Sequence, residues 1–210
     1  MLRRAGDIVG SVVLLALLSP LLIVTAAIVL VGMGTPVLFR QYRAGYHGNP
    51  FMLYKFRTMR EQYSPGGSPL PDAARLTAIG RFLRAASIDE LPQFVNVLKG
   101  DMSLVGPRPL LPSHQELYTP VQARRQEVRP GITGWAQVNG RNSVSWERKL
   151  DMDIWYVDHR SWWLDGRILL LTVVKVLARE GISPGNQSTA RPFAGSTLPR
   201  EDPGEAARAV

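Results

Sequence analysis

The residues best suited to chemistry are concentrated in one segment, residues 87–100, where two adjacent carboxylates, Asp89 and Glu90, precede an apolar helical pattern. Proline suits the first turn of a helix and glycine its end, so the pattern predicts a helix over about residues 91–99. Free backbone N–H groups at such a helix start favour negative charge, either a carboxylate or a bound phosphate. A structural alternative is helix capping, because Ser87 and Glu90 fit the Ser-x-x-Glu pattern.

Three later turns each carry an arginine and contain proline or glycine. They are Gly106-Pro107-Arg108-Pro109, Arg129-Pro130-Gly131-Ile132-Thr133-Gly134, and Asn139-Gly140 followed by Arg141. An arginine held by a rigid turn is pre-organised for bidentate contact with phosphate, although it could also form a salt bridge with a carboxylate. Residues Trp135 to Val138 are predicted to form a strand that ends in a hairpin turn. Beside an Asp-Glu pair, three such turns are more typical of a diphosphate site than of a solvated surface.

A further pair of cations lies on a predicted strand. Residues 36–58 alternate in the manner of strands, and the alternation places Lys55 and Arg57 on the same face. That face could hold both cations towards a phosphate. The commoner meaning of alternating charge is a solvated strand face, and both interpretations stay open from the pattern alone.

The overall charge agrees with phosphate chemistry. Lys and Arg total 25 against 17 acids, and 21 of the 25 cations are arginine, whose planar fork matches phosphate oxygens. The absence of cysteine excludes disulfide frameworks, thiolate zinc sites and iron-sulfur clusters. The three histidines show no ligand spacing, so any metal is expected to be a hard ion bound by carboxylates and phosphates.

An uncharged apolar segment opens the chain, from Ile8 to Phe39. Roughly 20 apolar residues cross a hydrocarbon core of about 30 Å, so this segment is long enough to span a membrane. Ser19-Pro20 lies in its middle, where proline removes a helical hydrogen bond, and the serine hydroxyl could bond a freed carbonyl. The segment is therefore predicted to break there, dip into the bilayer and return.

Basic residues flank the apolar segment on both sides, with Arg3 and Arg4 before it and Arg40 and Arg43 after it. Positive charge at both ends is satisfied best if both ends stay cytoplasmic. A spanning helix with a proline kink is the open alternative. A cleaved signal peptide fits less well, because the apolar run is too long and no small-x-small cleavage site follows it.

Two further helices are predicted to lie near the membrane. Asp72 to Ala86 is predicted to be one amphipathic helix whose basic side is either solvated or rests on anionic headgroups. Near the C-terminus, Trp162-Trp163 precede an apolar run over residues 168–177 that suits either the membrane interface or a buried core. After Glu180 the composition predicts a tail or a surface strap.

Several of these motifs together resemble those of one protein family. Asp89-Glu90-Leu91-Pro92-Gln93, residues 96–103, Gly106-Pro107-Arg108-Pro109 and residues 129–134 occur here in the order typical of the bacterial sugar transferase family. Tyr54-Lys55-Phe56-Arg57-Thr58-Met59 and the Ser19-Pro20 break also match. The chain is similar to the small monotopic members, the polyprenyl-phosphate phosphoglycosyl transferases.

The resemblance implies an α+β fold in three parts. Residues 1–35 would form a re-entrant membrane helix hairpin, residues 36–182 a cytoplasmic catalytic domain with interfacial amphipathic helices, and residues 183–210 a C-terminal tail. The location implied is the cytoplasmic face of a bacterial inner membrane. Partners would be a UDP-sugar, polyprenol phosphate and membrane lipids, with no nucleic acid.

The resemblance also implies a reaction, in which a sugar 1-phosphate moves from the UDP-sugar to polyprenol phosphate and UMP is released. Asp89 would be the nucleophile that forms a covalent phosphosugar intermediate, and Glu90 a metal ligand, positioning group or proton acceptor. Mg²⁺, held by Asp89 and Glu90, and nearby arginines would neutralise charge. The expected phosphate-binding residues are Lys55, Arg57, Arg108, Arg129 and Arg141.

Two other functions compete with this hypothesis. Asp151-Met152-Asp153 could be the Asp-x-Asp site of a metal-dependent glycosyl transferase that releases UDP, although three residues are a weak pattern. A membrane-anchored basic scaffold without catalysis is the second. The identity of the sugar is suggested only by the tail, where residues 181–183 and 189–195 resemble those of family members that handle acetamido 6-deoxy sugars such as diacetylbacillosamine.

Overall fold

A computed structural model describes residues 2–140, 144–178, 193 and 195. The elements in chain order are α1 (Leu2–Met33), β1 (Leu38–Ala44), β2 (Pro50–Phe56), α2 (Asp72–Arg75), α3 (Ala78–Ala85), α4 (Gln93–Lys99), β3 (Ser103–Val105), α5 (Pro120–Ala123), β4 (Gly131–Thr133), α6 (Trp135–Asn139), α7 (Trp146–His159) and α8 (Trp162–Leu177). The mixed helix and strand composition confirms the coarse fold prediction. Most of the predicted tail, with all but two of the residues that suggested a sugar, lies outside the described residues.

Helix α1 is continuous across the position where the sequence predicts a break. Its 32 residues include Pro20 and would extend about 48 Å if straight. The missing N–H of Pro20 leaves the Ala16 carbonyl without its helical donor, and the Ser19 hydroxyl donates to that carbonyl at 2.8 Å. The predicted role of Ser19 is confirmed. The helix is not interrupted at Ser19-Pro20, because this substitute hydrogen bond lets it continue, so a return to the same side of a membrane would need a bend at the proline within a continuous helix.

Both ends of α1 contact the rest of the protein. Near its start, the Asp7 carboxylate accepts hydrogen bonds from the Leu104 backbone N–H and the Ser103 hydroxyl, both at 2.9 Å. Near its end, Val29 is fully buried and packs with Phe56 of β2. One face of the helix is therefore held at two places about 22 residues apart along the chain.

The opposite face of α1 is apolar and exposed, and so is one face of α8. Leu17 and Val31 are 71% and 88% exposed, and Trp163 and Leu177 are 83% and 78% exposed. Contiguous apolar surface of this kind indicates association with a membrane. By length and composition, α1 is the one helix of the described chain able to cross a membrane. The other face of α8 is buried at Ile168, which confirms the core alternative for that face, while the membrane interface stays a prediction for the exposed face.

Two small sheets position the loops of the site. β1 and β2 form an antiparallel hairpin in which Leu38 pairs with Phe56 and Arg43 with Phe51. β3 and β4 are parallel, with Ser103 beside Gly131. The largest core cluster lies between the second sheet and helices α6 to α8, and its buried members are Val105, Val128, Trp135, Val138, Tyr156, Leu164 and Ile168.

Three local predictions need correction. The strand predicted at Trp135–Val138 is helix α6, because Trp135, Ala136 and Val138 are buried at helical rather than alternating spacing. The helix predicted over residues 72–86 is two helices, because Thr77 caps α3 by accepting a hydrogen bond from the Gly80 N–H at 2.9 Å. The helix predicted from residue 91 begins at Gln93, after a 3-10 segment that contains the carboxylate pair.

Arg57 stabilises the end of α1. Its guanidinium donates to the carbonyls of Met33, Gly34 and Thr35, the last two at 2.7 and 3.0 Å. The last carbonyls of a helix have no partner within it, and a buried arginine supplies donors for several at once. The predicted role of Arg57 as a phosphate-binding residue is not supported, because this side chain is directed at backbone carbonyls.

We expect Arg57→Gln to lower the free energy of unfolding by about 3 kcal/mol, the scale of a charged hydrogen-bond donor lost from a buried site. Thermal and denaturant unfolding of the full chain in detergent would measure the change. Arg40→Gln, on the exposed side of β1, is the matched control and should leave stability unaltered. Unchanged stability of the Arg57 variant would contradict the capping role.

Candidate active site

The carboxylate pair lies in a short 3-10 segment, Ile88–Glu90, between α3 and α4. Ser87 precedes it in the left-handed conformation, with a φ of 55°, and its side chain makes no capping hydrogen bond. The capping interpretation of Ser87 and Glu90 is therefore wrong. The pair is instead placed where the chain reverses direction after α3, with Asp89 buried and Glu90 half-buried.

Glu90 is held by two cations. Its Oε1 accepts hydrogen bonds from Lys55 Nζ at 2.6 Å and from Arg108 Nη2 at 2.8 Å. Burial alone would raise the pKa of Glu90, but the positive charges of Arg108 and Lys55 outweigh it and hold that pKa well below its usual range. Glu90 is therefore a fixed anion at neutral pH.

The carboxylate of Asp89 differs from that of Glu90 in its hydrogen bonds and in its pKa. It is 7% exposed, and within residues 2–140 and 144–178 no group donates a hydrogen bond to its carboxylate. Burial and the neighbouring Glu90 raise its pKa to about 6, against the opposing effect of Lys55, Arg84 and Arg108. Adjacent carboxylates with pKa values shifted in opposite directions are typical of catalytic pairs with separate roles. A carboxylate whose oxygens are not engaged is suited to attack an electrophile.

Asn96 fixes α4, and with it the carboxylate pair, against the first hairpin. It is fully buried. Its Oδ1 accepts from the Tyr54 N–H at 3.1 Å, and its Nδ2 donates to the Met52 carbonyl at 2.7 Å. Because Tyr54 and Met52 flank this point of β2, the contact also sets the position of Lys55, the next residue along the strand.

Neighbouring backbone and side chains hold the Arg108 loop, residues 106–110, in place. A Cβ at Gly131 would lie 2.1 Å from the Gly106 backbone nitrogen, so only glycine allows the two strands to approach this closely at the start of the loop. Arg125 donates to the Arg108 carbonyl at 2.6 Å and forms a buried ion pair with Asp153 at 2.7 Å. Asp153 therefore has a structural role.

The competing Asp-x-Asp hypothesis is not supported by this geometry. Asp153 is buried against Arg125, whereas Asp151, two residues earlier on α7, is exposed. Residues two apart on a helix point in different directions. The two carboxylates do not converge on one metal or nucleotide.

Four of the predicted site residues come together in the structure, namely Asp89, Glu90, Lys55 and Arg108. Arg129 is elsewhere, since its Nε donates to the Gly100 carbonyl at 2.9 Å and its guanidinium lies 5.4 Å from the centre of the Tyr46 ring. Arg141 lies outside the described residues.

Three cations near the site were not assigned to it from the sequence, namely Arg43, Arg84 and Lys149. Arg84 lies at the end of α3 and donates to the Thr58 hydroxyl at 3.0 Å. Arg43 and Lys149 both interact electrostatically with Arg108. The position of Arg84 five residues before Asp89, on a helix leading to the pair, was the one available signal.

Asp89 and Glu90 are the predicted ligands of Mg²⁺. In the described part of the chain no three His, Asp or Glu side chains cluster as a metal cage. Mg²⁺ commonly binds through one or two carboxylates together with substrate phosphates and water. Asp89 and Glu90 offer such a pair, so the site fits an ion that arrives with a phosphorylated substrate.

The amino-acid sequence of the chain matches those of known proteins. The family model of the bacterial sugar transferases matches residues 1–179. The chain is 56% identical over 195 residues to the uncharacterized sugar transferase EpsL of Bacillus subtilis (strain 168). The aligned residues cover 93% of this chain and 96% of that protein.

More distant relatives carry substrate names. The UDP-glucose:undecaprenyl-phosphate glucose-1-phosphate transferase of Escherichia coli (strain K12) is 42% identical over 185 residues, or 83% of this chain and 40% of that protein. The undecaprenyl-phosphate galactose phosphotransferase of Salmonella typhimurium is 39% identical over 198 residues, or 86% of this chain and 41% of that protein. The chain thus spans less than half the length of these two relatives.

The chain belongs to the bacterial sugar transferase family. It is accordingly an enzyme of the sugar-phosphate transferase class, as the motifs around Asp89 predict.

We expect the carboxyl band of Asp89 in infrared spectra to titrate near pH 6, with the carboxylate form above that value. Because Glu90 is one cause of the raised pKa, Glu90→Gln should move the midpoint to lower pH. Subtraction of spectra of Asp89→Asn isolates the Asp89 signal. A midpoint near 4, or one unmoved by Glu90→Gln, would contradict this electrostatic account.

Proposed function

We propose that this protein is a polyprenyl-phosphate phosphoglycosyl transferase. It transfers a sugar 1-phosphate from a UDP-sugar to polyprenol phosphate and releases UMP, as the first membrane step of glycoconjugate or exopolysaccharide synthesis. The observation that carries the proposal is the pairing of Asp89, buried and without a hydrogen-bond donor in the described chain, with a clamped and ionised Glu90. The names of the relatives support the substrate classes.

In the first half-reaction, Asp89 acts as the nucleophile. A carboxylate oxygen attacks the phosphorus that bears the sugar, and the bond from that phosphorus to the bridging oxygen breaks. UMP leaves with the bonding electron pair, and an acyl phosphate links the sugar to Asp89. No proton must be removed from the nucleophile, because Asp89 is ionised above pH 6.

In the second half-reaction, a phosphate oxygen of polyprenol phosphate attacks the same phosphorus. The acyl phosphate bond breaks, Asp89 is restored as a carboxylate, and a lipid diphosphate sugar forms. Two steps at one nucleophile let a water-soluble donor and a lipid-bound acceptor use the same site in turn.

The cations of the site offset the repulsion between a carboxylate and the donor phosphates. Lys55 and Arg108 are fixed by Glu90, so they do not need to reorganise as charge develops. Mg²⁺, when bound by Asp89, Glu90 and the donor phosphates, would supply further charge neutralisation. Glu90 thus acts by positioning Lys55 and Arg108.

We infer that α1 enters the membrane and returns to the same side, with the catalytic domain at the cytoplasmic face of the inner membrane. A helix that crossed the bilayer would place its first turns on the far side from its last turns. Asp7 and Val29 instead both contact the folded domain, through Leu104 and Phe56. The basic flanks of α1 favour the cytoplasmic side for both.

We expect Asp89→Asn to abolish UMP release from a UDP-sugar, with a loss of at least about 10³-fold, because an amide cannot form the acyl phosphate. Membranes or purified protein would be incubated with polyprenol phosphate, Mg²⁺ and a panel of UDP-sugars while UMP is measured. In the wild type, mass spectrometry after an acid quench should find a phosphosugar adduct on Asp89.

Asp151→Asn, an exposed acid on α7, is the matched control and should keep full activity. Release of UDP in place of UMP, or loss of activity in Asp151→Asn with retention in Asp89→Asn, would favour the Asp-x-Asp glycosyl transferase. Wild-type rates in Asp89→Asn would reject the proposed mechanism.

A further inference from the structure

Two cations are paired with Glu90, and two more lie beside the loop that carries Arg108. Lys55 and Arg108 form the ion pairs described above. Arg43, near the end of β1, and Lys149, on α7, form no ion pair with any described carboxylate. Because they come from elements far apart in the sequence, their convergence is a product of the fold.

The guanidinium of Arg43 is poorly satisfied. Its Nη2 donates to Gln41 Oε1 at 2.6 Å, while its Nε is buried and has no hydrogen-bond partner in the described chain. Burial and the repulsion of Arg108 lower the pKa of Arg43 to about 10, with Glu90 acting in the opposite direction. A buried donor without an acceptor is costly unless a ligand supplies one.

Like Arg43, the ammonium group of Lys149 has no ion-pair partner among the described carboxylates. Its Nζ lies 4.9 Å from the centre of the Trp146 ring, and burial together with Arg108 lowers its pKa. A cation over an aromatic ring keeps its hydrogen-bond donors available to an anion on the other side.

Arg43 and Lys149 lie next to residues that contact the loop of Arg108: the Ala44 N–H donates to the Leu110 carbonyl at 2.9 Å, and Leu150 packs with Leu110. Lys55 and Arg108 are the inner cations, because both are ion-paired with Glu90, beside Asp89. The groups that act on Asp89 are Glu90, Lys55, Arg84 and Arg108. Arg43 interacts with Arg108 and Glu90, and Lys149 with Arg108. Positive charge therefore extends from the ion pairs of Lys55 and Arg108 along the Arg108 loop to two cations that pair with no carboxylate of the described residues.

We propose that Arg43 and Lys149 bind the second phosphate of the nucleoside diphosphate donor, the phosphate that leaves as part of the nucleoside monophosphate. This inference rests on the proposed function. The inner cations then contact the phosphate attacked by Asp89. Arg43 and Lys149 stabilise the charge that the departing phosphate gains when its bond to the sugar-bearing phosphorus breaks.

If Arg43 and Lys149 bind the leaving phosphate, they should affect the rate of the first half-reaction only. The leaving phosphate is present in the first half-reaction and absent from the second, where polyprenol phosphate attacks the intermediate. Loss of Arg43 or Lys149 should slow UMP release on mixing with donor alone by about tenfold or more, the effect of one charge-assisted hydrogen bond. Discharge of the isolated intermediate by polyprenol phosphate should keep its wild-type rate.

Binding and half-reaction measurements on the full chain in detergent test the proposal. Arg43→Gln and Lys149→Gln should each weaken UMP binding by about tenfold or more and leave uridine binding unchanged. Arg40→Gln, a cation on the exposed side of the same strand as Arg43, is the matched control and should match the wild type in both assays.

The outcomes separate the two proposals. If the wild type forms no adduct and releases no UMP, the proposed function fails. If the wild type does both, unchanged UMP affinity in both variants overturns the phosphate assignment alone. Equal slowing of the two half-reactions would also overturn it, since that pattern indicates a structural role. Lys149 is half-buried on a helix surface, so Lys149→Gln gives a result even if Arg43→Gln does not fold.

Discussion

The ion pairs of Glu90 with Lys55 and Arg108 are the interaction on which the site depends. Lys55 comes from the first hairpin and Arg108 from the loop after β3, so Glu90 is held only when both sheets are assembled around α4. Glu90 thereby becomes a fixed anion, and its charge helps raise the pKa of Asp89 beside it. One carboxylate organises the cations, and the other accepts no hydrogen bond from the residues that the structure describes.

The apolar helix α1 is coupled to this assembly through polar contacts at its ends. Asp7 accepts hydrogen bonds from Ser103 and Leu104, where β3 begins, and Arg57, directly after β2, donates to the last carbonyls of α1. In apolar surroundings an unpaired polar group is costly, so these contacts are specific. The strands that supply Lys55 and lead to Arg108 are therefore fixed relative to α1.

The sequence predicted the types of most elements and failed where side-chain direction or context decided the outcome. The mixed fold, the apolar first helix and the Asp89-Glu90 pair follow from periodicity and local motifs. The segment at Trp135–Val138 is too short for its hydrophobic period to separate strand from helix, and burial against α7 selects helix. Strand alternation placed Arg57 beside Lys55, but it could not show that α1 ends within reach of that guanidinium.

Sequence alone determined what is local: the adjacent carboxylates, the glycine and proline turns, and Ser19 one residue before Pro20, within reach of the carbonyl that the proline leaves free. Those features act over a few residues, so spacing specifies them. Tertiary structure decided which cations meet Glu90, since Lys55 and Arg108 are 35 and 18 residues away along the chain. It also decided the protonation of Asp89, because burial and the charges of several elements set that pKa together.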